Sequence, residues 1–150
     1  MKIFDCFMFY DEKVLLDIRL NILSEYVDYF VIVESKYFHN GLKRKLNFKI
    51  DDYPKFQDKI IYIIHENTSA NLKDLDLNDD EESKTFKLNL NAHTREHDQR
   101  NYIINGLKNA DENDLIFISD VDEIPNLENL DLRNIKSKIL IFEQNIFYYK

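Results

Sequence analysis

Three carboxylates stand within four residues at Asp120-Val121-Asp122-Glu123, directly after the apolar run Leu115-Ile116-Phe117-Ile118-Ser119 and just before Pro125. Carboxylates crowded where the chain turns repel one another. A hard divalent cation such as Mg²⁺ or Mn²⁺ relieves that repulsion, because it takes oxygen ligands and keeps positions open for substrate phosphate oxygens. In an aspartate-x-aspartate turn both side chains can project to one side, one onto the metal and the other onto a ribose or a metal-bound water. Acidic turns are also common on plain surfaces. The preceding strand decides between the two readings, since ligands of parallel α/β sheets bind beyond the carboxyl ends of the strands. Asp120 and Asp122 are therefore read as metal ligands.

Such a turn works only if a sheet holds it. Lys2 to Tyr10 is short, apolar and aromatic and reads as a buried strand. Asp11 and Glu12 are expected as first-turn acids of a helix in which Leu16, Leu20, Leu23 and Val27 recur at helical spacing, ended by Asp28. Tyr29 to Val33 reads as a second strand, apolar on both faces like a central parallel strand. Further strands are expected at Ile60–Ile64, Leu115–Ser119 and Ile139–Phe142, with a turn at Tyr53-Pro54. From Asn67 to Leu90 periodicity is lost and acids crowd, which predicts a solvated loop. Thr94 is expected to cap a helix with Arg100, Ile103, Ile104 and Leu107 on one face. Strands alternating with helices predict an α/β domain, a mostly parallel sheet covered on both faces, with the whole of residues 1–150 as a single domain. The strand-end rule then selects Tyr10, Asp11, Glu34, Ser35 and Asp120 to Glu123. Glu12 and Arg100 join these as candidate nucleotide-pocket residues, Arg100 either orienting Asp120 or receiving a diphosphate. Its bland reading is a surface pair with Glu96, one helical turn away.

Composition narrows the function classes. The chain is 44% hydrophobic, with 9 tyrosines, 11 phenylalanines, two glycines and two prolines, so it should fold around a core. A net charge of -8 argues against a general nucleic-acid binder, because phosphate backbones are met by clustered Lys and Arg. An acidic protein that handles phosphates usually needs a cation. Cys6 stands alone and cannot form an internal disulfide, and no long apolar run suggests a signal or membrane span, so a cytoplasmic location is expected.

Several blocks occur in order: Phe9-Tyr10-Asp11-Glu12, Asp17-Ile18-Arg19-Leu20-Asn21, Val27 to Ser35, Gln99-Arg100-Asn101 and Ile118-Ser119-Asp120-Val121-Asp122-Glu123-Ile124-Pro125. Together they resemble glycosyltransferase family 17, which includes the transferase that adds the bisecting N-acetylglucosamine to N-glycans. The resemblance implies a GT-A fold, a Rossmann-type mostly parallel sheet flanked by helices. It also implies a UDP-sugar donor, notably UDP-N-acetylglucosamine, a glycan acceptor, and an inverting displacement at the anomeric carbon. By the same resemblance Asp122 would ligate Mn²⁺ or Mg²⁺, Asp120 would meet the ribose or the metal shell, and Glu34 would contact the nucleoside. Family members are generally longer, and their acceptor residues and catalytic base follow the acidic motif by many residues. Here Glu143 is the late acid nearest a strand end, a weak candidate, and the catalytic base stays unassigned.

Rival chemistries are weaker. His93-Thr94-Arg95-Glu96-His97 matches the inverted zinc-protease pattern HxxEH, but a cap at Thr94 would put His93 outside the helix and spoil the spacing. His39 and His65 read as loop residues. An aspartate-based phosphatase would use Asp120 as nucleophile and Asp122 as general acid, yet such enzymes place that pair after the first strand rather than the fourth. A non-catalytic sugar-nucleotide-binding module is the remaining alternative.

Overall fold

In a computed structural model that describes residues 1–67, 69–135 and 137–145, β1 (Ile3–Phe9), α1 (Lys13–Leu23), β2 (Tyr29–Ser35), β3 (Ile60–His65), α2 (Glu81–Asn101) and β4 (Leu115–Ile118) follow along the chain. The strands form one sheet in the order β3-β2-β1-β4, and every pair is parallel. The α/β expectation holds.

Both faces of the sheet are covered, which is why its strands read as continuous apolar runs rather than alternating ones. On one face Phe7 and Phe9 of β1 and Phe30 and Ile32 of β2 pack with Leu16, Leu20 and Leu23 of α1. On the other, Phe4, Cys6, Val31 and Val33 meet Ile103 and Tyr102. Leu16, Leu20 and Leu23 are wholly buried, and each contributes about 1.5–3 kcal/mol by leaving water. Asp28 closes the unit: its carboxylate accepts the Ile3 amide at 2.8 Å, and its own amide donates to the Ile3 carbonyl at 2.9 Å.

The structure departs from the sequence expectation at several points, each with a local cause. Helix α1 begins at Lys13, because the Glu12 carboxylate turns back to accept the amides of Tyr10 and Asp11 at 3.0 and 3.1 Å. Val27 lies past the helix and still reaches the core. Tyr53-Pro54 joins two 3-10 turns, Ile50–Asp52 and Pro54–Lys59. Much of the expected acidic loop is helix. Asp80, not Thr94, caps α2 by accepting the Ser83 amide at 2.7 Å, and Glu81 and Glu82 fill the first turn, where the helix dipole favours acids. Thr94 sits inside the helix with its hydroxyl donating to the Leu90 carbonyl at 2.9 Å. His93 and His97 are therefore both helical, and His93 lies 3.7 Å from Glu96. At Tyr102–Gly106 the backbone tightens to 3-10, so Ile103 is buried while Ile104 faces solvent. His65 is the buried last residue of β3 rather than a loop residue. The expected fifth strand does not form: Ile139 to Phe142 is irregular, and Ile139 and Ile141 are exposed. Phe142 alone finds an edge-on aromatic partner, Phe117 of β4.

Gly106 lets its turn lie directly on the sheet. A Cβ there would sit 2.4 Å from Val31 Cγ1 and 2.9 Å from Ile63 Cδ1. Gly106→Ala is expected to destabilise the protein by about 1–3 kcal/mol through overpacking. The measurement is a urea unfolding curve, with a lower midpoint at unchanged slope, and a wild-type midpoint would contradict this close approach.

Candidate active site

Strands β2 and β3 lie on one side of β1 and β4 lies on the other. The loops leaving β1 and β4 therefore lie side by side at the carboxyl ends of the strands, the usual ligand position in such sheets. A cleft of about 600 Å³ occupies that place. Tyr10 and Glu12 enter it after β1, Asp120 to Asp122 after β4, Glu96 and Gln99 from α2, and Phe38 and Arg44 from the loop after β2. Of the sequence candidates, Tyr10, Glu12, Asp120 and Asp122 thus share one cleft. Asp11, Glu34, Arg100 and Glu143 are not among its lining residues.

The acidic turn is held from inside the protein by Arg19, which is completely buried. Its Nε and Nη2 donate to the two Asp5 oxygens at 2.8 and 2.7 Å, a bidentate pair. Its Nη1 donates to the carbonyls of Asp120, Val121 and Glu123 at 2.7, 3.2 and 3.1 Å, and Nη2 also reaches the Ser119 hydroxyl at 2.6 Å. The guanidinium lies 4.6 Å from the centre of the Phe7 ring. One side chain therefore ties β1, α1 and the turn after β4 together. With its backbone carbonyls drawn inward, the turn leaves the Asp122 side chain exposed at the cleft. Glu123 turns away, its carboxylate accepting the Asp120 amide at 3.0 Å.

Arg100 both pairs with Glu96 and reaches Asp120. Its Nη2 lies 3.2 Å from Glu96 Oε1 and 3.0 Å from Asp120 Oδ1, bridging α2 to the acidic turn. Asp120 is thus partly satisfied by protein, whereas the Asp122 carboxylate has no hydrogen-bond partner among the described residues. Among those residues no group of three or more His, Cys, Asp or Glu side chains is placed to hold a metal unaided. Two carboxylates on one wall of an open cleft do fit a Mg²⁺-type cation, which commonly takes one or two protein carboxylates and completes its shell with water and substrate phosphates.

Glu34, expected to contact a nucleoside, is fully buried and occupied by the protein. It accepts the backbone amides of Asn47 and Phe48 at 2.7 and 3.1 Å, the Tyr62 hydroxyl at 2.8 Å, and the Arg44 guanidinium. Burial and this contact with Glu34 push the Tyr62 hydroxyl pKa up, which keeps it a donor. The guanidinium of Arg44 in turn lies 4.3 Å from the centre of the Tyr10 ring, and Asn47 donates to the Tyr10 carbonyl at 2.7 Å. Glu34 therefore organises the loop that props Tyr10, and Tyr10 and Phe38, edge to face at 5.7 Å, give the cleft an aromatic wall. Sequence reading passed over Arg19 and Arg44. A charged residue inside the leucine stripe of α1, one position before Leu20, is the signal that could have exposed the first.

The sequence model of glycosyltransferase family 17 matches residues 1–142. The chain belongs to glycosyltransferase family 17. No curated protein and no solved structure matches it. A glycosyltransferase takes a sugar donor and an acceptor, and the family match spans every element that lines the cleft.

Replacing Arg19 by Met leaves Asp5 charged and unpaired in the core, a loss of about 3–5 kcal/mol. The double variant Asp5→Leu with Arg19→Met is expected to regain most of that stability, since apolar replacement of a buried pair is often neutral. Its acidic turn should nonetheless loosen, seen as faster amide exchange at Glu123 and Ile124, whose amides bond within the turn. Wild-type exchange in the double variant would show that Arg19 does not hold the turn.

Proposed function

We propose that this glycosyltransferase uses a UDP-sugar donor with a divalent cation, Mn²⁺ or Mg²⁺, and transfers with inversion to a glycan acceptor. The observation that carries the reading is the placement of Asp120 and Asp122 on one wall of the crevice between β1 and β4. Asp122, exposed and without a hydrogen-bond partner among the described residues, is the principal cation ligand, and Asp120, held by Arg100, completes the metal shell or meets the ribose. When bound, the cation would neutralise the donor diphosphate and stabilise it as a leaving group. The chain's own residues do the positioning. Tyr10 offers an aromatic face to the nucleoside, braced by Arg44 and through it by Glu34. Asp11 and Glu12 shape the turn after β1, where the Glu12 carboxylate fixes two backbone amides. N-acetylglucosamine as the transferred sugar follows from the family resemblance.

Inverting transfer also needs a carboxylate that takes the proton of the attacking hydroxyl from the face opposite the leaving diphosphate. Glu96 is the one carboxylate that α2 brings to the cleft, but Arg100 engages it. Glu143 stands outside the cleft lining. The base therefore remains unassigned.

The test is thermal denaturation with UDP. At about a hundredfold excess over Kd, binding stabilises the native state by about 2.7 kcal/mol, a Tm rise of about 5–10 °C for a chain this size. The rise is expected only with Mn²⁺ or Mg²⁺ present, and Asp122→Asn should abolish it while leaving the ligand-free Tm unchanged. A metal-dependent UDP shift that persists in Asp122→Asn would refute the assignment.

A further inference from the structure

The pattern His93-Thr94-Arg95-Glu96-His97 takes no part in the proposed reaction, yet the fold removes the objection to its spacing. With α2 capped at Asp80, both histidines lie in regular helix four residues apart. Side chains at that spacing share one helix face, with Cβ atoms about 5–6 Å apart, close enough for two imidazoles to hold one ion. Both rings are open to it: the His93 side chain is 71% exposed, and His97 is exposed as well. Glu96 bears on which nitrogen is free. Its Oε1 takes the Arg100 guanidinium at 3.2 Å, while its Oε2 lies 3.7 Å from His93 Nδ1. A carboxylate beside Nδ1 favours the proton there and leaves the Nε2 lone pair available, the arrangement that commonly backs a metal-bound histidine.

A zinc hydrolase built on this pattern would need a third protein ligand and a glutamate free to activate water. Among the described residues no group of three such ligands is placed for it, and Arg100 holds Glu96. We propose instead that His93 and His97 form a two-histidine site for a transition cation of the Zn²⁺ class, with water in the remaining positions. The site differs in chemistry from the acidic turn. Imidazole suits Zn²⁺, Cu²⁺ and Ni²⁺, whereas carboxylates such as Asp120 and Asp122 suit Mg²⁺ and Mn²⁺. Because Glu96 also lines the cleft, an ion on the two histidines sets positive charge within one helical turn of a carboxylate of the cleft wall.

Calorimetric titration of the whole chain with Zn²⁺ in excess Mg²⁺ tests this, because Mg²⁺ competes for carboxylates and not for imidazole. Wild-type protein is expected to take up Zn²⁺ at a single histidine site. His93→Ala and His97→Ala should each weaken that binding at least about tenfold, since even a partner that only orients a metal ligand is commonly worth about 10–100-fold in affinity. Both positions are exposed and alanine is the best helix former, so the variants are expected to fold. Asp122→Asn should leave the Zn²⁺ affinity unchanged. Absence of Zn²⁺ binding to wild-type protein, an affinity unmoved by either histidine substitution, or its loss in Asp122→Asn with both histidines intact would each overturn the site.

Discussion

The pairing of Asp5 with Arg19 is the constraint on which the geometry of the site depends. Two full charges lie in the core between β1 and α1, a position that costs several kcal/mol per ion unless every donor and acceptor is met. Here the two Asp5 oxygens take two guanidinium nitrogens, and Arg19 spends its remaining capacity on backbone oxygens of the turn after β4. Those carbonyls would otherwise need water, because the turn leaves the sheet without a ladder to pair with. The turn is thereby fixed to the centre of the sheet rather than left to its own sequence. A hydrophobic pair at the same positions could hold β1 against α1 but could not grip three carbonyls.

Glu34 repeats the device one strand away. Like Asp5 it lies on the α1 side of the sheet, and like Asp5 it is neutralised by an arginine from another segment, Arg44. The difference lies in what each pair fixes. Asp5 and Arg19 set the acidic wall of the cleft, while Glu34 and Arg44, with the amides of Asn47 and Phe48, set the aromatic wall formed by Tyr10 and Phe38. The two walls are therefore built by buried charge on one face of one sheet, and the loops that carry them have little freedom of their own.

This explains which parts of the site were legible in the sequence. The parallel sheet announces itself through runs such as Tyr29 to Val33, whose residues are apolar on both faces, and α1 through its leucine spacing. The acidic turn is legible because strand, charge and Pro125 occur together. Arg19 is not, because a helical arginine normally faces water and only the partner, Asp5, fourteen residues earlier in a strand, reveals that it is buried. The internal partners of Glu34 are hidden for the related reason that position at a strand end says where a carboxylate begins but not which donors surround it. Helix α2 is hidden by its polar composition: only its C-terminal part packs on the sheet, so most of its length shows no apolar stripe, and the cap at Asp80 is lost among neighbouring acids. Ile139 to Phe142 has strand composition without a strand, since side-chain preference alone does not supply a pairing edge.

The electrostatics then bear on why the acidic turn reads as a cation site. The protein carries a net charge of -8, and the arginines nearest the cleft are already committed: Arg19 to Asp5, Arg44 to Glu34, Arg100 to Glu96 and Asp120, and Arg95 by one nitrogen to a backbone carbonyl. A diphosphate entering between Tyr10 and Asp122 would meet carboxylates of Glu12, Glu96, Asp120 and Asp122 with little free positive charge to balance it. Spending arginines on internal pairs is affordable only if the charge that faces the phosphates comes from outside the chain. On the proposed reading, a divalent cation on Asp122 would supply it while relieving repulsion between the two aspartates. The commitment of these arginines within the protein is the physical support for proposing the turn as the place where cation and donor bind together.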